Sequence, residues 1–206
     1  MISSGIPTSR FTLATGHQSV RQLARAGYPL MVKPVTGGSS LGARLLKDDS
    51  SAEAWLAGDH RDGEEVLAET FITGRSPTVG VLELSRAVVA APPLEIVCEA
   101  DFYDAETKLD EHAKGLVEYR VPNLSPEAEK GLRATAVRIH KPARCRGFSR
   151  VDFVLGDDGV AYVLEANTAP GMAYQSNFPA AMEMMGLAYE MTVLAMLRSC
   201  LCPKDR

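Results

Sequence analysis

Residues 150–167 read RVDFVLGDDGVAYVLEAN, and this stretch decides both the fold and the chemistry. Two apolar runs, Arg150 to Leu155 and Val160 to Ala166, flank Gly156-Asp157-Asp158-Gly159, a turn composition that predicts a β-hairpin. Polar residues interrupt both strands. Side chains alternate along a strand, so Arg150 and Asp152 share one face of the first, and Glu165 and Asn167 share one face of the second. If those faces coincide, two carboxylates, an amide oxygen and a guanidinium converge. Hard oxygen donors of this kind suit Mg²⁺, which takes a few carboxylates and leaves room for phosphate oxygens. The arginine would offset the charge of a transferred phosphoryl group. A surface salt bridge between Arg150 and one carboxylate accounts for the same spacing. Spacing alone leaves both readings open.

Directly downstream, Asn167-Thr168-Ala169-Pro170-Gly171-Met172 places a Pro-Gly turn after the second strand. The Gly171 N–H is a candidate oxyanion donor, and a plain type II turn is the other reading. From Phe178 to Leu201 the chain reads as helical and rich in Ala and Met. Upstream, Pro126 opens a helix running to about His140, and Pro142 ends it. Residues 99–119 are polar, charged and weakly periodic, and so long a segment inside a compact domain points to function. Ala87 to Val97 is a β run interrupted by Pro92-Pro93, and Glu65 to Ile72 and Thr78 to Leu84 are strands either side of Gly74. Ser50 or Ser51 is expected to cap a helix through Leu56, with Glu53 completing a capping box if Ser50 is the cap. Gln18 to Ala26 has helical spacing and stops at Gly27.

Leu30 to Lys33 is a short strand halted by Pro34, and Ala43 to Leu46 is a second. Between them lies Thr36-Gly37-Gly38-Ser39-Ser40-Leu41-Gly42. Glycines let backbone N–H groups approach phosphate oxygens, and serine hydroxyls add donors. A Gly/Ser hairpin turn without a ligand is the other reading. No Gly-Lys-Ser/Thr follows, so the loop is not a Walker A motif. Lys33, just ahead of the loop, could reach the same phosphates. Together these elements predict an α+β chain dividing near Ser76, with a small lobe over residues 1–76 and a larger one over 77–206.

With 206 residues and 46% hydrophobic composition, the chain can bury one sizeable core or two small lobes. A net charge of -4 without a dense Lys/Arg stripe argues against nucleic-acid binding. No apolar run approaches the ~20 residues needed to span a bilayer. The start, MISSGIPTSRF, lacks the features of a signal peptide. Gly5-Ile6-Pro7 reads like a linker rather than a first strand, so a preceding domain is expected. Cys98, Cys145, Cys200 and Cys202 show no metal-ligand or paired spacing, which favours reduced thiols and a cytoplasmic protein. His17, His60, His112 and His140 are scattered, giving no support to a histidine metal site or triad.

In order, Val32-Lys33-Pro34, Gly38-Ser39-Ser40-Leu41-Gly42, Val66-Leu67-Ala68-Glu69, Phe102-Tyr103-Asp104-Ala105-Glu106-Thr107-Lys108, Arg150-Val151-Asp152-Phe153 and Leu164 to Met172 resemble the D-alanine–D-alanine ligases of the ATP-grasp superfamily. The resemblance covers nearly the whole chain and keeps irregular spacings, so it is far more specific than any single motif. It implies an ATP-grasp fold in which two α+β lobes hold the nucleotide between antiparallel sheets. It implies ATP as cosubstrate with two Mg²⁺ ions, for which Mn²⁺ could substitute. Lys33 and the loop Gly38, Ser39 and Ser40 would contact the phosphates, while Glu69, Phe71 and Ile72 would meet the adenine edge. Ser76 stands at the ribose position. Tyr103 and Lys108, in the polar segment, would approach the nucleotide, with Lys108 reaching the γ-phosphate. Asp152, Glu165 and Asn167 would hold the metal, with Glu165 bridging. Arg150 and the Gly171 N–H would stabilise the acyl-phosphate and the tetrahedral intermediate, and Ser176 would contact the carboxylate of the second amino acid.

The departures from the family pattern are specific. Thr70 replaces a common lysine, Ser76 a ribose-binding glutamate, and Leu109 a tyrosine following the phosphate lysine. Asn177 and Pro142 are also unusual, and the chain begins roughly where the family's N-terminal domain would end. Three functions follow: a D-alanine–D-alanine type ligase, a ligase for other amino acids or peptides, and a non-catalytic nucleotide-binding module. The resemblance leaves open a homodimer or a partner supplying the N-terminal domain, and it implies neither nucleic acid nor membrane as partner.

Overall fold

The computed structural model describes residues 5–14, 17–25, 27–36, 41–58, 65–84, 87–98, 117–174 and 176–201. They fall into two compact units, one within Met1–Thr8, Gly74–Val97 and Tyr119–Arg206, the other within Ser9–Thr73 with Cys98–Glu118.

The smaller unit is a four-stranded antiparallel sheet with two helices on one face. Its strands are β1 (Phe11–Ala14), β2 (Leu30–Pro34), β3 (Arg44–Leu46) and β4 (Val66–Thr70), in the order β1-β4-β2-β3. Helices α1 (His17–Ala24) and α2 (Asp49–Gly58) cover it, and Ala14, Val20, Leu30, Val32, Leu46, Trp55, Leu56, Val66 and Ala68 form the shared core. Strand alternation leaves Met31, Lys33, Leu67 and Glu69 on the opposite face. Two expectations are corrected here. Strand β1 goes unannounced in the sequence, because it is short and at the sheet edge. The cap of α2 is Asp48, not Ser50 or Ser51: Asp48 Oδ1 accepts the Ser51 N–H at 2.8 Å, and Ser51 Oγ accepts the Asp48 N–H at 3.0 Å. That reciprocal pair is a capping box shifted by two or three residues. Glu53 instead binds Arg21 of α1 through two hydrogen bonds of 2.9 and 2.8 Å.

The larger unit is built on a seven-stranded sheet. Its strands are β5 (Gly74–Arg75), β6 (Pro77–Leu84), β7 (Ala87–Ala90), β8 (Leu94–Cys98), β9 (Val117–Arg120), β10 (Phe148–Gly156) and β11 (Ala161–Asn167). The order is β11-β10-β6-β8-β9, with β5 on β10 and β7 on β6. Helix α3 (Pro126–His140) packs Leu132, Ala136 and Ile139 on Val79, Val81, Val151, Phe153 and Val163. Ser125 caps it by accepting the Ala128 N–H at 3.2 Å, with Pro126 in the first turn. The other face is covered by α4 (Asn177–Met184) and α5 (Tyr189–Leu201), whose Phe178, Ala181, Met182 and Met196 meet Leu82, Ala91 and Leu94. With both faces covered, β6 is buried from Pro77 to Glu83 and lacks the alternation of a strand with one wet face. The single C-terminal helix expected from the sequence is two, divided at Gly186, which has φ 86°. No single helix among the described residues is long and apolar enough to cross a membrane.

Two further differences concern the ends of loops. Gly5-Ile6-Pro7 is not a free linker: Ile6 is buried in the core under α3, and the Pro7 carbonyl accepts the Val163 N–H at 2.9 Å. Residues 117–119, read as part of the polar segment, lie in β9.

Candidate functional site

Strand β10 carries the site because β6 and β11 flank it on both sides. Its register pairs Arg150 with Asn167 and Asp152 with Glu165, so the two polar faces coincide. A register shift between Asp152 and Phe153 makes this possible. Val163 faces the core beneath α3, and strict alternation would send Glu165 to that same buried side. The extra residue, Leu164, resets the face, as β-bulges beside active sites do. The turn itself is held by Asp158, which accepts the Tyr162 hydroxyl at 2.7 Å and the Val160 N–H at 3.0 Å.

The four predicted side chains touch. Arg150 grips Asp152 with two hydrogen bonds, Nε to Oδ1 at 2.8 Å and Nη2 to Oδ2 at 2.7 Å. Asn167 Nδ2 donates to Asp152 Oδ2 at 3.0 Å and to Glu165 Oε1 at 2.9 Å. Arg150 Nη2 lies 3.9 Å from Glu165 Oε1. Thr78, directly opposite Asp152 across the β6–β10 pairing, donates to Oδ1 at 2.6 Å. Burial pushes the Asp152 carboxyl up, but the Arg150 guanidinium and then the Thr78 hydroxyl outweigh it and hold the carboxyl below its ordinary value. Thr78 was not foreseen, since only the sheet order places it against Asp152. The salt bridge and the converging carboxylates, alternatives on spacing alone, occur together.

The donor set fits Mg²⁺. No group of three His, Cys, Asp or Glu is present among the described residues. Two carboxylates and an amide are nevertheless what Mg²⁺ uses when phosphate and water complete its shell. Glu165 is 55% exposed, so one carboxylate opens to solvent. Half a turn of the Asn167 amide exchanges its N–H₂ for its oxygen at the same place.

On the same sheet face, α4 begins beside the Pro-Gly turn. A Cβ on Gly171 would sit 3.2 Å from Ser176 Oγ, so the two predicted residues are adjacent and a side chain at 171 would crowd the serine. Ser176 is the N-cap of α4, yet its hydroxyl makes no capping bond. Its N–H donates to the Ala173 carbonyl at 2.8 Å, which closes the turn.

In the smaller unit, Lys33 Nζ lies 2.8 Å from Glu69 Oε1, and the Ser9 hydroxyl donates to Glu69 Oε2 at 3.0 Å. Glu69 is only 7% exposed, so its carboxylate is a fixed anchor for the lysine on the helix-free face. Ser9 had no sequence signal, because its role depends on the path into β1. Phe71 uses its N–H on the Pro29 carbonyl at 3.0 Å; Ile72 follows it, and Ser76 is exposed. Gly38, Ser39, Ser40, Tyr103 and Lys108 lie outside the described residues.

Comparison with known proteins identifies the family. The family described as "D-ala D-ala ligase C-terminus" matches residues 1–198. The chain is 35% identical over 196 residues to the D-alanine–D-alanine ligase B of Chromobacterium violaceum, covering 94% of this chain and 62% of that protein. Among solved structures, a Bacillus anthracis D-alanine–D-alanine ligase complexed with ATP superposes with TM-score 0.78 at 24% identity, over 97% of this chain and 62% of the other. The VanG D-Ala:D-Ser ligase of Enterococcus faecalis gives 0.77 at 27% identity, over 96% and 58%. The chain thus spans about three-fifths of the length of the relatives it matches. Its α+β architecture is the ATP-grasp fold of those ligases, and the chain belongs to the D-Ala-D-Ala ligase C-terminus family.

Proposed function

We propose that this chain carries the ATP and metal machinery of a carboxylate–amine ligase of the D-alanine–D-alanine type, which makes a dipeptide for cell-wall precursors. The observation that carries the reading is the convergence of Asp152, Glu165, Asn167 and Arg150 on one sheet face, beside the Gly171–Ser176 turn. In this reading the carboxylate of a first amino acid attacks the γ-phosphorus of ATP, releasing ADP and leaving an acyl-phosphate. The amine of the second attacks the carbonyl carbon, loses a proton and expels phosphate. Such transfers rest on positioning and charge stabilisation.

The resemblance to the ligase family suggests the roles, and the placement of the described residues is compatible with them. Asp152, Glu165 and Asn167 would hold two Mg²⁺, whose charge would offset that of the phosphates. Arg150, fixed by its two hydrogen bonds to Asp152, would with the Gly171 N–H stabilise the developing oxyanion. Ser176, not spent on capping, would receive the second substrate's carboxylate. Lys33, anchored by Glu69, would meet ATP phosphates with Gly38, Ser39, Ser40 and Lys108, and Phe71, Ile72, Ser76 and Tyr103 would line the nucleoside. We place the protein in the cytoplasm, where ATP and reduced thiols coexist, acting as a homodimer.

The test is ATP- and Mg²⁺-dependent phosphate release across D- and L-amino acids. Stimulation by D-alanine supports the proposal. Stimulation only by other amino acids shifts it to the ligase with a different substrate pair. Mg·ATP binding without stimulation by any amino acid leaves a nucleotide-binding module and ends the ligase reading.

A further inference from the structure

We propose that Thr78 sets the metal preference of the carboxylate cluster by committing Asp152 to a single ligating oxygen; this rests on the metal site of the ligase reading. The two oxygens of Asp152 have different surroundings. Oδ1 accepts the Thr78 hydroxyl of β6 at 2.6 Å and Arg150 Nε at 2.8 Å. Oδ2 accepts Arg150 Nη2 at 2.7 Å and Asn167 Nδ2 of β11 at 3.0 Å. The same Nδ2 reaches Glu165 Oε1 at 2.9 Å, so Oδ2 is the oxygen on the side of the other two proposed ligands.

A carboxylate has about four lone-pair sites, two on each oxygen, and each site on Asp152 meets a donor. The donors differ in how readily they give way. Half a turn of the Asn167 amide withdraws its N–H₂ and opens one site on Oδ2. Oδ1 has no such release. Thr78 is 1% exposed and stands directly opposite Asp152 in the β6–β10 register. Its hydroxyl has one other acceptor in reach, the Val151 carbonyl at 3.3 Å, and the nearer, charged oxygen is the stronger partner. Mg²⁺ and Ca²⁺ separate on this point. Mg²⁺ demands near-octahedral geometry and dehydrates reluctantly, whereas Ca²⁺ takes more ligands and accepts a carboxylate through both oxygens. An aspartate with one oxygen withheld suits the smaller ion. Thr78 is a positioning residue here, acting on the metal only through Asp152.

The experiment titrates the Mg²⁺ and Ca²⁺ complexes of a non-hydrolysable ATP analogue into the chain by calorimetry. Wild type is expected to bind the Mg²⁺ complex more tightly. Thr78→Val keeps the shape and removes the hydroxyl, and should shrink the ratio of the two Kd values by about fivefold or more. Thr78→Ser should hold the ratio within about twofold of wild type. An unchanged ratio in Thr78→Val, a Thr78→Ser that behaves like it, or a wild-type preference for Ca²⁺ overturns the inference and leaves the ligase reading standing. Analogue binding that is the same with Mg²⁺, with Ca²⁺ or with neither removes the metal site and the inference with it. Infrared spectra of the wild type test the same point without a variant at Thr78. The antisymmetric and symmetric carboxylate stretches lie far apart when one oxygen binds a metal and close together when both do. The Asp152 bands, assigned by their loss in Asp152→Asn, should lie far apart with Mg²⁺; a narrow separation overturns the inference even if Thr78→Val does not fold.

Discussion

Asp152 receives four donors, two from Arg150 and one each from Thr78 and Asn167, so its charge is fixed in place before any ligand arrives. A neutral amide there would leave Arg150 with a poorer partner and, in the proposed metal site, remove one hard ligand. Asp152→Asn and Glu165→Gln are each expected to lower Mg·ATP affinity or turnover at least tenfold, about 1.4 kcal/mol. Wild-type behaviour of both variants in equilibrium binding would remove the metal-site assignment. Ser76 is the complementary case, an exposed hydroxyl where relatives are expected to present a carboxylate. Ser76→Glu should tighten nucleotide binding several-fold if that position meets the ribose; an unchanged Kd retires the idea. The identities of Asp152, Glu165, Asn167, Arg150, Gly171 and Ser176 were legible from order and spacing. Thr78 and Ser9 were not, because a lone hydroxyl carries no signal until the sheet places a carboxylate opposite it.

At the scale of elements, β5, β8 and β9 are joined by one buried carboxylate. Glu95 accepts Arg75 Nε at 2.7 Å and Nη2 at 2.9 Å, and Arg120 Nε at 3.0 Å, with 3% of its side chain exposed. Arg75 also donates to the Asn123 carbonyl at 3.0 Å, ahead of α3. The Arg75 hydrogen bonds, against the opposing effect of burial and with help from Arg120, hold the Glu95 carboxyl below its ordinary value. A depressed folded pKa gives stability that is present above the ordinary carboxylate value and is lost as pH falls through the folded one. Glu95→Gln should therefore cost about 1–3 kcal/mol at neutral pH, discounted because both arginines are partly solvated, and markedly less near pH 3. Urea midpoints at the two pH values measure this; a penalty independent of pH would show that shape, not charge, holds the strands. Gly74 is a second such joint. A Cβ there would run into the Leu155 carbonyl oxygen and approach the Gly156 Cα at 3.0 Å. Gly74→Ala is expected to destabilise by about 2 kcal/mol or more, read as a lowered denaturation midpoint. Most elements were legible because each has its own signal: the Pro126 start of α3, the proline break between β7 and β8, and the Gly-Asp-Asp-Gly turn. The short edge strand β1 and the true cap of α2 lacked one, since Asp48, Ser50 and Ser51 are all acceptable cap residues and local geometry chooses among them.

For the whole molecule, a ligand that binds only the folded chain should stabilise it by mass action. Mg·ATP at about 100 times its Kd should add about 2.7 kcal/mol, or roughly 5–10 °C in Tm for a chain of this size. Chelating the metal should abolish most of the shift; an equal shift with ATP alone would separate nucleotide binding from the Asp152–Glu165–Asn167 cluster. The sequence by itself determined the fold class and family, because hydrophobic periodicity, turn composition and motif order are local properties that survive without coordinates. It also named candidate site residues. What only the tertiary structure decided is how they meet. Strict alternation along β11 puts Glu165 on the buried side with Val163, and one extra residue at Leu164 turns it to face Asp152. A bulge is a property of two paired strands, since it exists only where two residues on one oppose one on the other. For that reason the convergence of Asp152, Glu165 and Asn167 and the Thr78 contact became visible only once the strands were paired.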